Sequence, residues 1–231
     1  MPCYMAALRP ADGDHARSVL ERLGDDVTTV VGPCCGQPAF NSGYRSEART
    51  VGRALLRASR GHETVVVPSG SCTSMLQHYL PSLWGPRRSK VERFSDRFVE
   101  FSAYVAGHPR LATLPLQLEG AVAYHDACHG RRELALTESV IGLLARIEEL
   151  DVRRLAYEGE CCGFGGTFTV KEPEVSLAMA QAKLADVAKT QARVLVSGDL
   201  SCLAHLGATA RAEGQELETW TLAELLDRAL A

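Results

Sequence analysis

The sequence predicts an α/β protein built as two pseudo-symmetric halves with parallel sheets, and three observations predict it. Short apolar runs alternate with helical patterns along the chain, the order that strand–helix–strand crossovers require. Every cysteine falls into one of two copies of a single pattern: Cys3, Cys34, Cys35, Cys72, then Cys128, Cys161, Cys162, Cys202, spaced C-x30-CC-x36-C and C-x32-CC-x39-C. Both adjacent pairs run into a glycine, Gly36 and Gly163.

In the first half, residues 14–23 read as a helix with Ala16, Val19, Leu20 and Leu23 on one face, closed by Gly24. Residues 27–31 read as a strand ending at the turn Gly32-Pro33-Cys34-Cys35. A second helix is expected over 46–59, with Ala48, Val51, Leu55 and Leu56 aligned. A buried strand over 64–67 is followed by a turn, Pro68-Ser69-Gly70-Ser71, that delivers Cys72. The stripe Val91, Phe94, Phe98, Phe101, Val105 predicts one helix over 91–105, its aromatics packing the core. Residues 86–90 and 108–120 read as surface connections.

The second half repeats the scheme. Strands are expected at 121–125, before Cys128; at 153–157, before the Cys161-Cys162-Gly163 turn; and at 193–196, before Cys202. Helices are expected over 134–150 and 174–189, the latter with Pro173 near its first turn, and a strand–helix unit over 217–230 closes the chain. The boundary falls near residue 112, giving cysteine-rich halves 1–111 and 112–231, each Rossmann-like. Open α/β sheets gather ligands at the carboxyl ends of their strands, so each set of four cysteines should converge there, in a cleft between the halves. Cys128 has a strand before it while Cys3 has only Met1 and Pro2. The expectation is a true start upstream of Met1, the other reading being a half that lacks one strand.

At 231 residues, 46% apolar and 23% charged, the chain can bury a substantial core and is not disordered. A formal charge of −3 provides no basic field for nucleic acid or anionic lipid. With no signal-like N-terminus and no apolar run of membrane-spanning length, the expectation is a cytoplasmic protein, reaching a membrane only peripherally through partners. Thiols in that compartment stay reduced, and neighbouring cysteines make a strained disulfide, so the pattern points to metal or cluster ligation.

Thiolates suit zinc, copper(I) and iron–sulfur clusters. Structural zinc prefers C-x2-C or C-x2-H knuckles. Cys202-Leu203-Ala204-His205 has that spacing, and Met75 stands in the same slot after Cys72. His205 is either a ligand or a helix residue packed beside the site. Adjacent cysteines fit poorly around one tetrahedral ion but can bind different irons of one cluster, which favours iron–sulfur. Gly36, Gly163, Gly165 and Gly166 would let backbone N–H groups approach sulfur. His129 and Arg132, with Arg131, follow Cys128 and can be read as carboxylate-binding and proton-moving groups or as a polar rim. His125 and Asp126 lie near the same loop, Asp126 as a turn cap; Asn41, Tyr44 and Arg45 follow the first pair and read as helix packing. Gly163, Gly165 and Gly166 do not form a nucleotide fingerprint.

The segments Cys34-Cys35-Gly36-Gln37-Pro38-Ala39-Phe40-Asn41-Ser42-Gly43, Pro68-Ser69-Gly70-Ser71-Cys72 and Cys161-Cys162-Gly163-Phe164-Gly165-Gly166-Thr167-Phe168, with Cys128-His129, agree in order and spacing with a known pattern. Over nearly its whole length the chain resembles the cysteine-rich CCG-domain family of iron–sulfur oxidoreductases. Within it the nearest group is lactate utilization protein A, a component of a three-protein L-lactate oxidation system; the CCG-bearing component of heterodisulfide reductase is more distant. The resemblance implies one or two iron–sulfur clusters, 4Fe-4S in kind, on the eight cysteines. It also implies electron transfer during conversion of lactate to pyruvate, in an oxidoreductase that works with partner proteins. Met75 and His205 stand where the reductase has further cysteines, so the resemblance does not by itself imply its non-cubane geometry or disulfide cleavage. The ferredoxin-type run C-x2-C-x2-C-x3-C is absent, so a partner iron–sulfur protein would supply that electron entry. A related redox subunit acting on glycolate, another small 2-hydroxy acid or a thiol–disulfide pair is the alternative, and a zinc-binding scaffold module the third reading.

Overall fold

The computed structural model describes residues 1–230. The chain opens with α1 (Cys3–Leu8), α2 (Ala11–Arg22), α3 (Gln37–Asn41) and α4 (Arg45–Ala58). It continues through β1 (Val65–Val67), α5 (Gly70–Ser74), a π-helical and a 3-10 segment (Met75–Tyr79 and Leu80–Arg87), α6 (Arg88–Ser95), β2 (Phe98–Glu100) and α7 (Phe101–Gly107). After a 3-10 turn (Pro109–Thr113) come β3 (Gln117–Tyr124), α8 (Cys128–Arg132), α9 (Thr137–Leu144) and β4 (Glu148–Arg154). The last part holds α10 (Phe168–Lys171), α11 (Pro173–Lys189), β5 (Val194–Ser197), α12 (Leu200–Ala212), β6 (Glu218–Thr221) and α13 (Leu222–Ala229).

The strands pair in parallel throughout, as the alternating pattern predicts. β1 pairs with β2, and a second sheet runs β4-β3-β5-β6. Helices cover the sheets, and the largest core joins residues far apart in sequence. Val19, Leu20 and Leu23 of the α2 region pack with Phe101, Val122, Val140, Val196 and Leu226. Polar ties hold the same contact: Arg9 donates to Glu224 Oε2 at 2.6 Å and to the Thr219 carbonyl at 2.7 Å, and Ser18 donates to Asp227 at 2.6 Å.

Four expectations are corrected. Residues 27–31 form no strand. Their counterpart before the second cysteine pair, β4, pairs only with the central strand β3, which leads to Cys128. Among the described residues no strand leads to Cys3, so 27–31 has no ladder to join. It faces β1 across a groove of about 420 Å³, and its Val30 carbonyl accepts from the Met1 ammonium at 2.7 Å. The predicted helix over 91–105 breaks into α6, β2 and α7. Val65 N donates to the Arg97 carbonyl, starting the β1–β2 ladder, and the Glu100 carboxylate caps α7 by accepting from Ser102 N and Ala103 N. The predicted helix over 134–150 stops near Leu144, and β4 takes 148–154 in place of the expected 153–157. The apolar spacing there is helical, but Glu148 N donates to the Leu116 carbonyl and Glu149 takes φ +67°, which draws the chain into the sheet beside β3. Finally, β3 starts at Gln117, so the supposed connection over 108–120 is a 3-10 turn followed by the first half of the central strand.

Glu100 is buried at the end of β2, and burial pushes its carboxyl up to about 7 despite the hydrogen bonds from Ser102 and Ala103. The folded state therefore binds a proton that the unfolded chain releases near its ordinary value of 4.5. That contribution to stability is whole below about pH 4.5 and is lost as pH rises through about 7, a loss of roughly 3 kcal/mol. Urea unfolding at pH 5 and pH 8 should show that loss in the native protein, and Glu100→Gln should flatten it.

Candidate metal centre

Each cysteine is delivered by a short local rule. Cys72 sits two residues into α5, whose cap Ser69 accepts from Cys72 N at 3.3 Å. Cys202 sits at the same place in α12, whose cap Asp199 accepts from Ser201 N at 3.2 Å. Cap-x-Ser-Cys is thus the same device twice, Ser69-Gly70-Ser71-Cys72 and Asp199-Leu200-Ser201-Cys202. Cys3 and Cys128 open α1 and α8. The adjacent pairs turn through glycine: Gly36 has φ +93° and Gly163 φ +89°, where an L side chain is strained. Both are also pressed on a neighbouring helix, α4 and α11, where an added Cβ would lie 2.9 Å from the Ala48 carbonyl and 2.5 Å from the Ser176 carbonyl. Their amides donate back to sulfur, Gly36 N to Cys34 at 3.5 Å and Gly163 N to Cys161 at 3.4 Å.

All eight cysteines line one cavity. The four in each half run in chain order, with matched burial: Cys35, Cys72, Cys162 and Cys202 are buried, the other four half-buried. Cys35 and Cys72 lie 3.6 Å apart, sulfur to sulfur. Thiolates this close repel one another, and the protons distribute accordingly. Hydrogen bonds from Cys3 and Cys35 hold Cys34 far below the ordinary thiol range, while hydrogen bonding to Cys34 pushes Cys3 and Cys35 up. Cys161 is held low by Cys128 and Cys162, and both of those are pushed up by Cys161. Each row carries one favoured thiolate flanked by protonated neighbours. To ionise all four sulfurs of a row, a cation must offset their charge. The donor set fits a thiophilic metal or cluster.

The rows are locked face to face by polar contacts between the halves. Asp199 is buried, and its Oδ2 accepts from Ser71 N at 2.8 Å and from the Ser69 hydroxyl at 3.4 Å. Tyr79 donates to Glu133 at 2.9 Å, and Ser42 and Thr167 share a hydrogen bond of 3.0 Å. Gly70 allows α5 to approach α8 closely, since a Cβ there would lie 3.3 Å from Gly130 N.

Of the other residues the sequence singled out, His129 lines the cavity and Arg132 does not. Gln37 Nε2 donates to the Ser71 carbonyl at 3.2 Å, which sets its amide orientation, and lies 3.2 Å from His129 Nε2. That ring nitrogen must then accept, leaving the proton on Nδ1, 3.6 Å from the Cys128 sulfur. Arg132 is exposed and donates to the Gly159 carbonyl at 2.7 Å. Asn41 lines the cavity rim, while Arg45 lies over the Phe40 ring at 3.8 Å. His205 bonds to Ser176, 3.2 Å from its hydroxyl and 3.4 Å from its carbonyl, and Met75 is buried in an apolar cluster with Leu76 and Phe98.

Two residues gain their weight from the structure. Asp199 is legible in principle from the repeated cap-x-Ser-Cys pattern. His125 stands three residues before Cys128, near the loop the sequence singles out, but nothing in the sequence marks its burial. It lies with Cys162 and Cys202 in a group whose ligand atoms are all within 4.8 Å of one another, the one such trio of potential metal ligands among the described residues. Burial, then the Lys183 ammonium, lowers His125 to about 4, so the imidazole is neutral.

Two substitutions check this geometry. Asp199→Ala leaves Ser71 N and Ser201 N buried without an acceptor and should cost roughly 2–4 kcal/mol. Gly163→Ala should be worse than Gly36→Ala, by roughly 1 kcal/mol or more, because its Cβ meets backbone at the shorter distance. Thermal unfolding and metal content of the purified variants check both orders.

The CCG cysteine-rich domain family matches residues 1–77 and 122–207, one stretch per cysteine copy. Lactate utilization protein A 1 of Bacillus anthracis is 32% identical over 232 residues, covering 99% of this chain and 96% of the relative. Lactate utilization protein A of Oceanobacillus iheyensis is 36% identical over 222 residues, covering 93% and 89%. With both cysteine rows inside the matched segments, the chain belongs to the CCG cysteine-rich domain family, alongside the lactate utilization A proteins.

Proposed function

We propose that this chain is an electron-carrying subunit of an L-lactate utilization system, active as an oxidoreductase together with partner proteins. The observation that carries the reading is the single cavity lined by two matched rows of four cysteines. Cys3, Cys34, Cys35 and Cys72 would hold one iron–sulfur centre and Cys128, Cys161, Cys162 and Cys202 a second, of 4Fe-4S type. A bound centre of this kind supplies reversible one-electron transfer. Lactate gives up two electrons on becoming pyruvate, and two one-electron centres in one chain match that stoichiometry. The names of the relatives support the substrate class.

The chain's own residues would do four things. The thiolates neutralise the metal charge; Gly36 N and Gly163 N, already aimed at Cys34 and Cys161, hydrogen-bond the sulfur and raise the potential. His129 presents its Nδ1 proton to Cys128 and so adjusts the same row. Tyr4 and Phe164, packed edge to face at 5.5 Å, close one wall of the cavity and keep water off the buried sulfurs. Electrons must enter and leave through partners, a ferredoxin-type iron–sulfur protein being the class required, since the chain has no such run of cysteines. No helix among the described residues is long and apolar enough to cross a membrane, so any membrane acceptor would be reached by docking.

Protein purified without oxygen should contain about four to eight irons per chain with equal acid-labile sulfide, and dithionite should produce an EPR signal. Replacing Cys35 or Cys162 by Ser should each remove the iron of its own row. Zinc without sulfide would sink the reading and leave a structural metal site.

A further inference from the structure

We infer that His125 is a ring-nitrogen ligand of the second-row metal centre, beside Cys162 and Cys202, which makes the two centres chemically unequal. The inference rests on the reading that the cysteine rows hold metal. Its own support is geometric. His125 ends the central strand: its N–H donates to the Val196 carbonyl at 2.8 Å and its carbonyl accepts from Ser197 at 2.9 Å. The backbone is thereby pinned between β3 and β5, and the ring is held in the protein interior, 1% exposed. Neither ring nitrogen has a hydrogen-bond partner. A neutral imidazole has one donor and one acceptor to satisfy, and a folded protein seldom buries both without a use. Within 4.8 Å of the two buried sulfurs, the ring nitrogen is at a spacing one ion can bridge with ordinary metal–nitrogen and metal–sulfur bonds.

The more obvious histidine is not available for this. His205 has the Cys-x2-His spacing of a metal knuckle, yet its Nε2 is held by Ser176. The first row has no equivalent of His125. Cys35 and Cys72 pack instead against Val67, Met75 and Leu76. His129, which lines the same cavity, bonds to Gln37 and Cys128. The first centre is therefore bound by sulfur alone and the second by sulfur and a neutral nitrogen. Where the imidazole takes an iron position that a thiolate of the row would otherwise fill, the cluster's reduction potential rises. Electrons arriving at the first row would move on to the second, giving the cavity a direction.

Pulsed EPR on the dithionite-reduced holoprotein, grown with 15N-histidine, tests this. Strongly coupled nitrogen resonances that change to 15N on labelling, vanish in His125→Cys and persist in His205→Gln are expected. The Cys variant retains a ligand, so it should retain its iron, and the higher of two midpoints in a redox titration should move down toward the lower. Full iron and sulfide with no histidine coupling, with only the weak coupling of a hydrogen-bonded ring, or with coupling unchanged in His125→Cys, would overturn the inference and leave the cluster reading standing. Zinc without sulfide would overturn the cluster reading alone. In that case zinc-edge X-ray absorption decides: a nitrogen neighbour lost in His125→Cys upholds the ligand, and an all-sulfur shell in the native protein removes it.

Discussion

The buried carboxylate of Asp199 is the constraint on which the cavity depends. One oxygen caps α12 and so aims Cys202; the other accepts from Ser71 N in α5, immediately before Cys72. A single side chain thus sets the last cysteine of both rows and the separation between the halves. A buried carboxylate is costly unless its oxygens are bonded, and here both are, by backbone N–H groups and by the Ser69 and Ser201 hydroxyls. Ser69 occupies the cap position in the other half, where its shorter side chain bonds only within its own turn and to Asp199. This difference between the two caps is what ties the two copies together.

The rows themselves are an electrostatic arrangement. Hydrogen bonds from their neighbours hold Cys34 and Cys161 low and make them the favoured anions of their rows. Both are the residues toward which a glycine amide points. The same features that hold one thiolate in each row would hold the sulfurs of a bound centre: left-handed glycine turns, amides aimed at sulfur, and walls of Tyr4 and Phe164 that keep the local dielectric low. His125 adds a neutral donor to one row only.

Around this cavity the packing is less symmetric than the cysteines. The second copy has the sheet β4-β3-β5-β6, the first only β1-β2. The helices make up the difference: α2, from the start of the chain, packs on α13 at its end, tied by Arg9–Glu224 and by Ser18 and His15 to Asp227. That long-range contact makes one core serve both halves, and it keeps α1, with Cys3, against α12, with Cys202.

What the sequence determined by itself is the repeat, the parallel α/β class and the convergence of all eight cysteines, because cysteine spacing and strand–helix alternation are local, one-dimensional signals. Glycine after each pair belongs to the same category, and the repeated cap-x-Ser-Cys pattern that holds Ser69 and Asp199 is a local signal of the same kind. The elements it misplaced have patterns that two periods share. Val91, Phe94, Phe98, Phe101 and Val105 keep helical spacing although β2 interrupts them, since pairing of Val65 with Phe98 outweighs local preference. Residues 27–31 are strand-like in composition but have no neighbouring strand to complete a ladder. Tertiary structure alone decided which side chains are left without partners. Spacing left His205 open as a ligand and placed His129 and Arg132 together, yet Ser176 holds the first, and the other two point different ways, toward Gln37 and toward Gly159. His125 becomes conspicuous only when burial and unpaired nitrogens are known, and both are properties of the fold.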